Sequence, residues 1–170
     1  RGSLTVLNNQ GSILPLKHLD SLKFASLAIG TNQKTTFQKR LDDYSGVDHY
    51  FLGDKQLNEG SPENLVASYK NKLSRYDVVL VSLHNLSMYP YRNYGVSDNM
   101  ASFLDQLVQE KKSVVTFFGN PYGLDRFSRI QEAAGLLLTY QESQLHQDMA
   151  AQTLFGSYGA DGDLPVNVNQ

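Results

Sequence analysis

Asp77-Val78-Val79-Leu80-Val81-Ser82-Leu83 constrains the fold more than any other stretch of this chain. It is apolar nearly throughout, as a strand is when both faces of its parallel sheet are covered. Helices must then lie on both sides, and right-handed crossovers put them there. The rest of the chain should therefore alternate short apolar runs with amphipathic ones, and it does.

Residues 24–29, 47–52, 114–118 and 135–140 read as the companion strands. The first is stopped by Gly30, and the third ends in Gly119-Asn120-Pro121-Tyr122-Gly123. Between them, residues 35–44 carry Phe37, Leu41 and Tyr44 at helical spacing before Gly46. Ser61-Pro62-Glu63 opens a helix with a cap, a first-turn proline and an acid at the positive end of the dipole. Leu65, Tyr69 and Leu73 line its predicted apolar face. Ser97 caps a helix that turns Phe103, Leu104, Leu107 and Val108 inward, and residues 142–155 form a last helix ended by Gly156. Five such alternations predict an α/β fold, a three-layer, doubly wound, mostly parallel sheet over residues 1–170 as one domain. The short runs at the two ends, 4–7 and 164–166, are left over as edge strands. Residues 13–16 contain Pro15, which cannot donate to a ladder, and read as edge or loop.

Composition narrows the function classes. With 15 basic and 17 acidic residues the formal charge is −2, too balanced for a strong electrostatic grip on nucleic acid or an anionic membrane. There is no cysteine, hence no disulfide framework, thiolate metal site or Cys nucleophile. No apolar stretch reaches the roughly 20 residues that span a bilayer. The start lacks a signal peptide's apolar core and opens directly into a strand, as the middle of a longer reading frame would.

In a doubly wound sheet, ligands sit outside the carboxyl ends of the strands. The loops that matter therefore begin at Gly30, Gly53, His84, Gly119 and Tyr140. Gly30-Thr31-Asn32-Gln33-Lys34-Thr35 has the look of a phosphate loop, but it is one residue short and lacks the second glycine. There is no GxGxxG, and Ser82-Leu83-His84-Asn85 stands where a phosphorylated receiver would close its third strand with Asp. The histidines, His18, His49, His84 and His146, have no metal-ligand spacing, and only His84 falls at a strand's carboxyl end. No Gly-x-Ser-x-Gly elbow is present, although a Ser–His–Asp set can assemble in space. The close carboxylate pairs, Asp42 with Asp43 and Asp161 with Asp163, sit at a helix end and in a glycine turn, so both read as solvated or turn acids. No catalytic residue, metal or cofactor is expected. The candidates for contact with substrate or a neighbouring domain are Asn85, Tyr89, Tyr91, Arg92 and Tyr94 in the loop 84–96, with Asn120 and Tyr122 beside it. Their flat faces and donors suit sugar stacking or a partner surface.

Four segments carry a family resemblance. Ser3-Leu4-Thr5-Val6-Leu7-Asn8-Asn9 is similar to the opening of the C-terminal α/β domain of family-three glycoside hydrolases, with Asn8 where Lys is common. Ile13-Leu14-Pro15-Leu16, the strand from Phe24 to Gly30, and the tail from Phe155 to Leu164-Pro165-Val166 follow in the family's order, with Asp163 in place of Lys. The resemblance implies a flavodoxin-like sandwich following an N-terminal (β/α)8 barrel that carries an Asp nucleophile. It implies a parent that hydrolyses terminal β-linked N-acetylglucosamine or glucose with retention. In the β-glucosidase branch this domain lends an acid/base Glu from a loop after its central strands. Here the loop after Leu83 holds no Glu, and Asn93-Tyr94-Gly95-Val96-Ser97-Asp98 resembles the β-N-acetylglucosaminidase branch, whose acid sits on the barrel. Some members of that branch continue into a serine β-lactamase-like domain, a further candidate partner, and they are exported, which implies the periplasm or cell envelope. Two other readings of the same fold stand beside it: a stand-alone docking module that binds carbohydrate or protein, and a flavodoxin-like redox protein, which would give a yellow, flavin-bearing preparation.

Overall fold

The computed structural model describes residues 4–157. Asp161, Asp163 and the run 164–166, expected as a second edge, lie outside the described residues. Six strands form one sheet: β1 (Leu4–Asn9), β2 (Phe24–Ile29), β3 (Val47–Leu52), β4 (Val78–Leu83), β5 (Ser113–Phe118) and β6 (Gly135–Thr139). Their order is β1-β6-β5-β4-β2-β3. All neighbours are parallel except β1, which pairs antiparallel with β6 and is the expected N-terminal edge. Residues 13–16 stay out of the sheet. Asn9 clamps both backbone groups of Leu14, and Leu16 N–H donates to Leu154 O at 2.7 Å, so Leu14 and Leu16 are buried from a loop.

Five α-helices cover the sheet: α1 (Thr36–Leu41), α2 (Asp54–Leu57), α3 (Pro62–Lys72), α4 (Asp98–Glu110) and α5 (Gln144–Leu154). Strand residues alternate between two cores. Val79, Val81, Leu83, Val115 and Phe117 pack under α3 and α4, whereas Val78, Leu80, Val114 and Phe118 pack under α1 and α5. Each longer helix starts on a serine whose hydroxyl accepts the N3 amide: Ser61 from Asn64, Ser97 from Met100, Ser143 from His146. The β5–β6 crossover holds 3-10 turns at Pro121–Arg126 and Ile130–Glu132.

Three sequence expectations shift. The helix read over 35–44 ends at Leu41, and Tyr44 instead stacks on Phe155 with ring centroids 4.8 Å apart. On α3 and its C-cap, Tyr69 and Leu73 are buried as expected, Val66 joins them, and Leu65 is half-buried against the same core. The last helix begins at Gln144, because Ser143, with an extended backbone, caps it by accepting from the His146 N–H.

Candidate functional site

The chain order reverses between β2 and β4, so the crevice used for ligands in open α/β sheets should lie outside Ile29 and Leu83. Here the chain closes it. Gly30 stands at φ 97°, and a Cβ there would lie 2.3 Å from the His84 carbonyl oxygen. Asn85, itself left-handed at φ 59°, donates from Nδ2 to Gly30 O at 2.9 Å and from its backbone N–H to Glu142 Oε1 at 2.8 Å. The other Glu142 oxygen faces His84 Nδ1 at 2.9 Å. Loops after β2, β4 and β6 are thereby tied at one point.

His84 is buried, stacks on Phe118 and places Nε2 2.7 Å from Ser82 Oγ. Among the described residues Ser82 Oγ has no other partner. The arrangement that satisfies every group is therefore Ser82 O–H donating to Nε2 and Nδ1–H donating to Glu142. A second chain of the same kind lies across β2 and β3. Ser26 Oγ meets His49 Nδ1 at 2.6 Å, His49 Nε2 meets Asp42 at 2.8 Å, and Gln38 donates to Ser26 at 2.8 Å. Burial pushes the Asp42 carboxyl up, but hydrogen bonds from Lys34 and His49 outweigh it and hold it below the usual carboxylate range. Both sets have the order of a nucleophilic relay. In both, however, the serine is 0% exposed, so no carbonyl carbon can reach the hydroxyl. They satisfy buried polar groups and supply no nucleophile to a substrate.

The phosphate-like loop resolves in the same way. Lys34 is paired with Asp42 at 2.6 Å, Thr35 forms a capping box with Gln38, and Phe37 N–H donates to Gln147 Oε1 at 3.1 Å. The groups that would cradle a phosphate are already used by the fold. Asp43 binds Arg40 while Asp42 binds Lys34 and His49, so this pair is no acid/base couple. Among the described residues no group of three or more His, Cys, Asp or Glu could hold a metal ion.

The contact candidates divide into two kinds. Tyr89, Tyr91 and Tyr122 are 56%, 78% and 69% exposed, unusual for large aromatics. Tyr89 and Tyr91 stack at 5.5 Å, with the Arg92 guanidinium 5.9 Å from the Tyr91 ring. Met88 is exposed alongside them. Asn85, Asn120 and Tyr94 also make contacts within the rim itself, Asn85 from an exposed position. Asn120 donates to Met88 O at 3.1 Å and accepts from Tyr122 N–H, joining the β4 and β5 loops. Tyr94 is half-buried against Gly123, and its backbone closes onto Ser87 and Tyr89. Asn93, Tyr94 and Gly95 all have positive φ. Only Gly fits the last position, since a Cβ there would meet Ser87 N at 2.6 Å. The result is a preformed aromatic ledge at the carboxyl rim, beside the closed crevice. Sequence reasoning found the ledge but missed Glu142. Its one visible signal was its place just beyond a strand's carboxyl end.

These features define a class: a doubly wound α/β domain whose usual ligand crevice is sealed and whose rim presents tyrosines. No protein-family model and no curated protein matches the chain. Solved structures do. One is a fungal multi-domain family 3 glycoside hydrolase, a β-N-acetylglucosaminidase with a GCN5-related glucosamine N-acetyltransferase region, at 18% identity and TM-score 0.61 over 98% of this chain and 18% of that one. Another is a family 3 β-N-acetylglucosaminidase from Paenibacillus sp. str. FPU-7, at 15% identity and TM-score 0.66 over 97% and 30%. A third is the β-glucoside phosphorylase BglX, at 18% identity and TM-score 0.59 over 97% and 29%. The fold expected from the sequence resemblance, an α/β sandwich found within family 3 glycoside hydrolases, is the fold of this chain. The chain spans between 18% and 30% of the length of those proteins.

Proposed function

We propose that this chain is an accessory α/β domain of a family-three glycoside hydrolase, with the chemistry carried by a separate (β/α)8 barrel. The observation that carries the reading is the coverage: nearly all of this chain aligns with a minor part of each larger enzyme. The parent would remove terminal β-linked N-acetylglucosamine or glucose by a retaining mechanism, in the periplasm or cell envelope. Tyr89, Tyr91, Arg92 and Tyr122 would meet the barrel or border the sugar it holds, through stacking and hydrogen bonds from the phenols and guanidinium. Both serine relays are buried, which supports a domain without chemistry of its own. An assay of this chain alone on aryl β-N-acetylglucosaminide and aryl β-glucoside should show no turnover; clear turnover refutes the proposal.

The exposed ledge favours a second reading, a docking module without a barrel, that binds carbohydrate or protein. Sequencing the reading frame that adjoins Arg1 separates the two. A barrel with an Asp nucleophile supports the first, and a His–Asp acid loop on it selects the N-acetylglucosaminidase branch. A β-lactamase-like domain beyond Gln170 would add the partner implied by the family resemblance.

A further inference from the structure

We infer that Glu142 is the positioning residue of the tyrosine ledge, an inference that rests on reading the ledge as a contact surface. The β4 loop leaves the sheet at His84, and the backbone turns at once through left-handed Asn85. Later ties are neutral or distant: Asn120 holds Met88 O, and Arg126 holds Val96 O at the loop's exit. The root of the loop is held by the two oxygens of one carboxylate, one on the Asn85 N–H and one on the His84 ring. Because Asn85 fixes the direction in which residues 86–91 start, the carboxylate sets where Tyr89 and Tyr91 project.

The chemistry demands a carboxylate. Both of its oxygens must accept, one from an amide N–H and one from Nδ1–H. The isosteric amide Glu142→Gln would turn a donor toward a donor. With the amide oxygen on the Asn85 N–H, the ring relieves this by moving its proton to Nε2, which then points at Ser82 Oγ; with the amide flipped, its NH2 faces the Asn85 N–H and the root of the loop is lost instead. In the first case the Ser82 hydroxyl hydrogen would be left without an acceptor at a fully buried position in the central strand. A change at the rim is thus transmitted through His84 into the sheet, and back to the direction of the loop.

The test uses this chain by itself. Nitrogen-15 imidazole spectra of the unsubstituted protein should show His84 carrying its proton on Nδ1, and E142Q should either move it to Nε2 or lose the Asn85 amide's protection from exchange. In E142Q, hydrogen exchange at the Ser87, Arg92, Tyr94 and Val96 amides, all bonded within the loop, should accelerate about tenfold or more while β5 and α4 amides hold their rates. Asn85→Gly, which permits the left-handed backbone, keeps the N–H that Glu142 accepts from and removes the side chain's tie to Gly30, should leave the tautomer unchanged. The inference is overturned if the unsubstituted ring is protonated on Nε2 alone, if loop exchange is unchanged in E142Q, or if core strands accelerate as much as the loop. No sugar or second domain takes part, so these outcomes are independent of whether the ledge meets a barrel.

Discussion

Replacing Gly30 by Ala tests the closed crevice directly. Two costs act at this position. At φ 97° the backbone lies where L residues rarely go, a penalty of roughly 1–2 kcal/mol. The new Cβ would also stand 2.3 Å from the His84 carbonyl oxygen, a backbone atom at the end of the central strand, where forced overpacking costs about 1–3 kcal/mol. Together these give a loss of roughly 2–5 kcal/mol, or on the order of 4–20 °C in Tm for a domain of this size. Gly60→Ala is the internal control, because Gly60 has φ 71° but nothing within 4 Å of its Cβ position. It carries the conformational penalty alone. Urea unfolding followed by circular dichroism, with unchanged slope, should rank G30A well below G60A. Equal losses in the two variants would show that the β2 and β4 loops do not approach as described, and the argument for a sealed crevice would fall.

Three further outcomes follow from single groups. Thr116 Oγ1 is buried without a hydrogen-bond partner among the described residues, so Thr116→Val should be neutral or stabilising by up to about 1 kcal/mol in urea midpoints. Asp42 titrates below its ordinary range in the folded chain, so it contributes stability that is present above the unfolded carboxylate value and is lost as pH falls through the folded one. Asp42→Asn should therefore lower stability at neutral pH and flatten the acid limb of a stability profile; an acid limb parallel to that of the unsubstituted protein would refute the assignment. Tyr89→Ala and Tyr91→Ala should each leave stability within about 0.5 kcal/mol, because exposed rings bury little on folding. A larger thermal shift would make them part of the fold and not of a free ledge.

Much of the architecture was written locally. The uninterrupted apolar runs marked β2, β4 and β5 because a buried parallel strand needs apolar side chains on both faces. Ser61 and Ser97 marked helix starts because a hydroxyl at that position satisfies an N–H that the helix itself cannot. The tyrosine ledge was legible for the same reason, since Tyr89, Tyr91 and Arg92 sit within four residues of one loop.

What only the tertiary structure decided depends on groups distant in sequence. That Val66 is buried more deeply than Leu65 on α3 shows only once the helix is packed on the sheet. His84 meets a carboxylate 58 residues away, and His49 joins Ser26 to Asp42 across two strands and a helix. Lys34 had the look of a phosphate ligand until Asp42 was seen to hold it. Local composition determines the elements because hydrogen bonding and burial along a strand or helix repeat with a short period. The pairing of polar groups has no such period, and it is settled only when the sheet's order brings the ends of β2, β4 and β6 to the same rim.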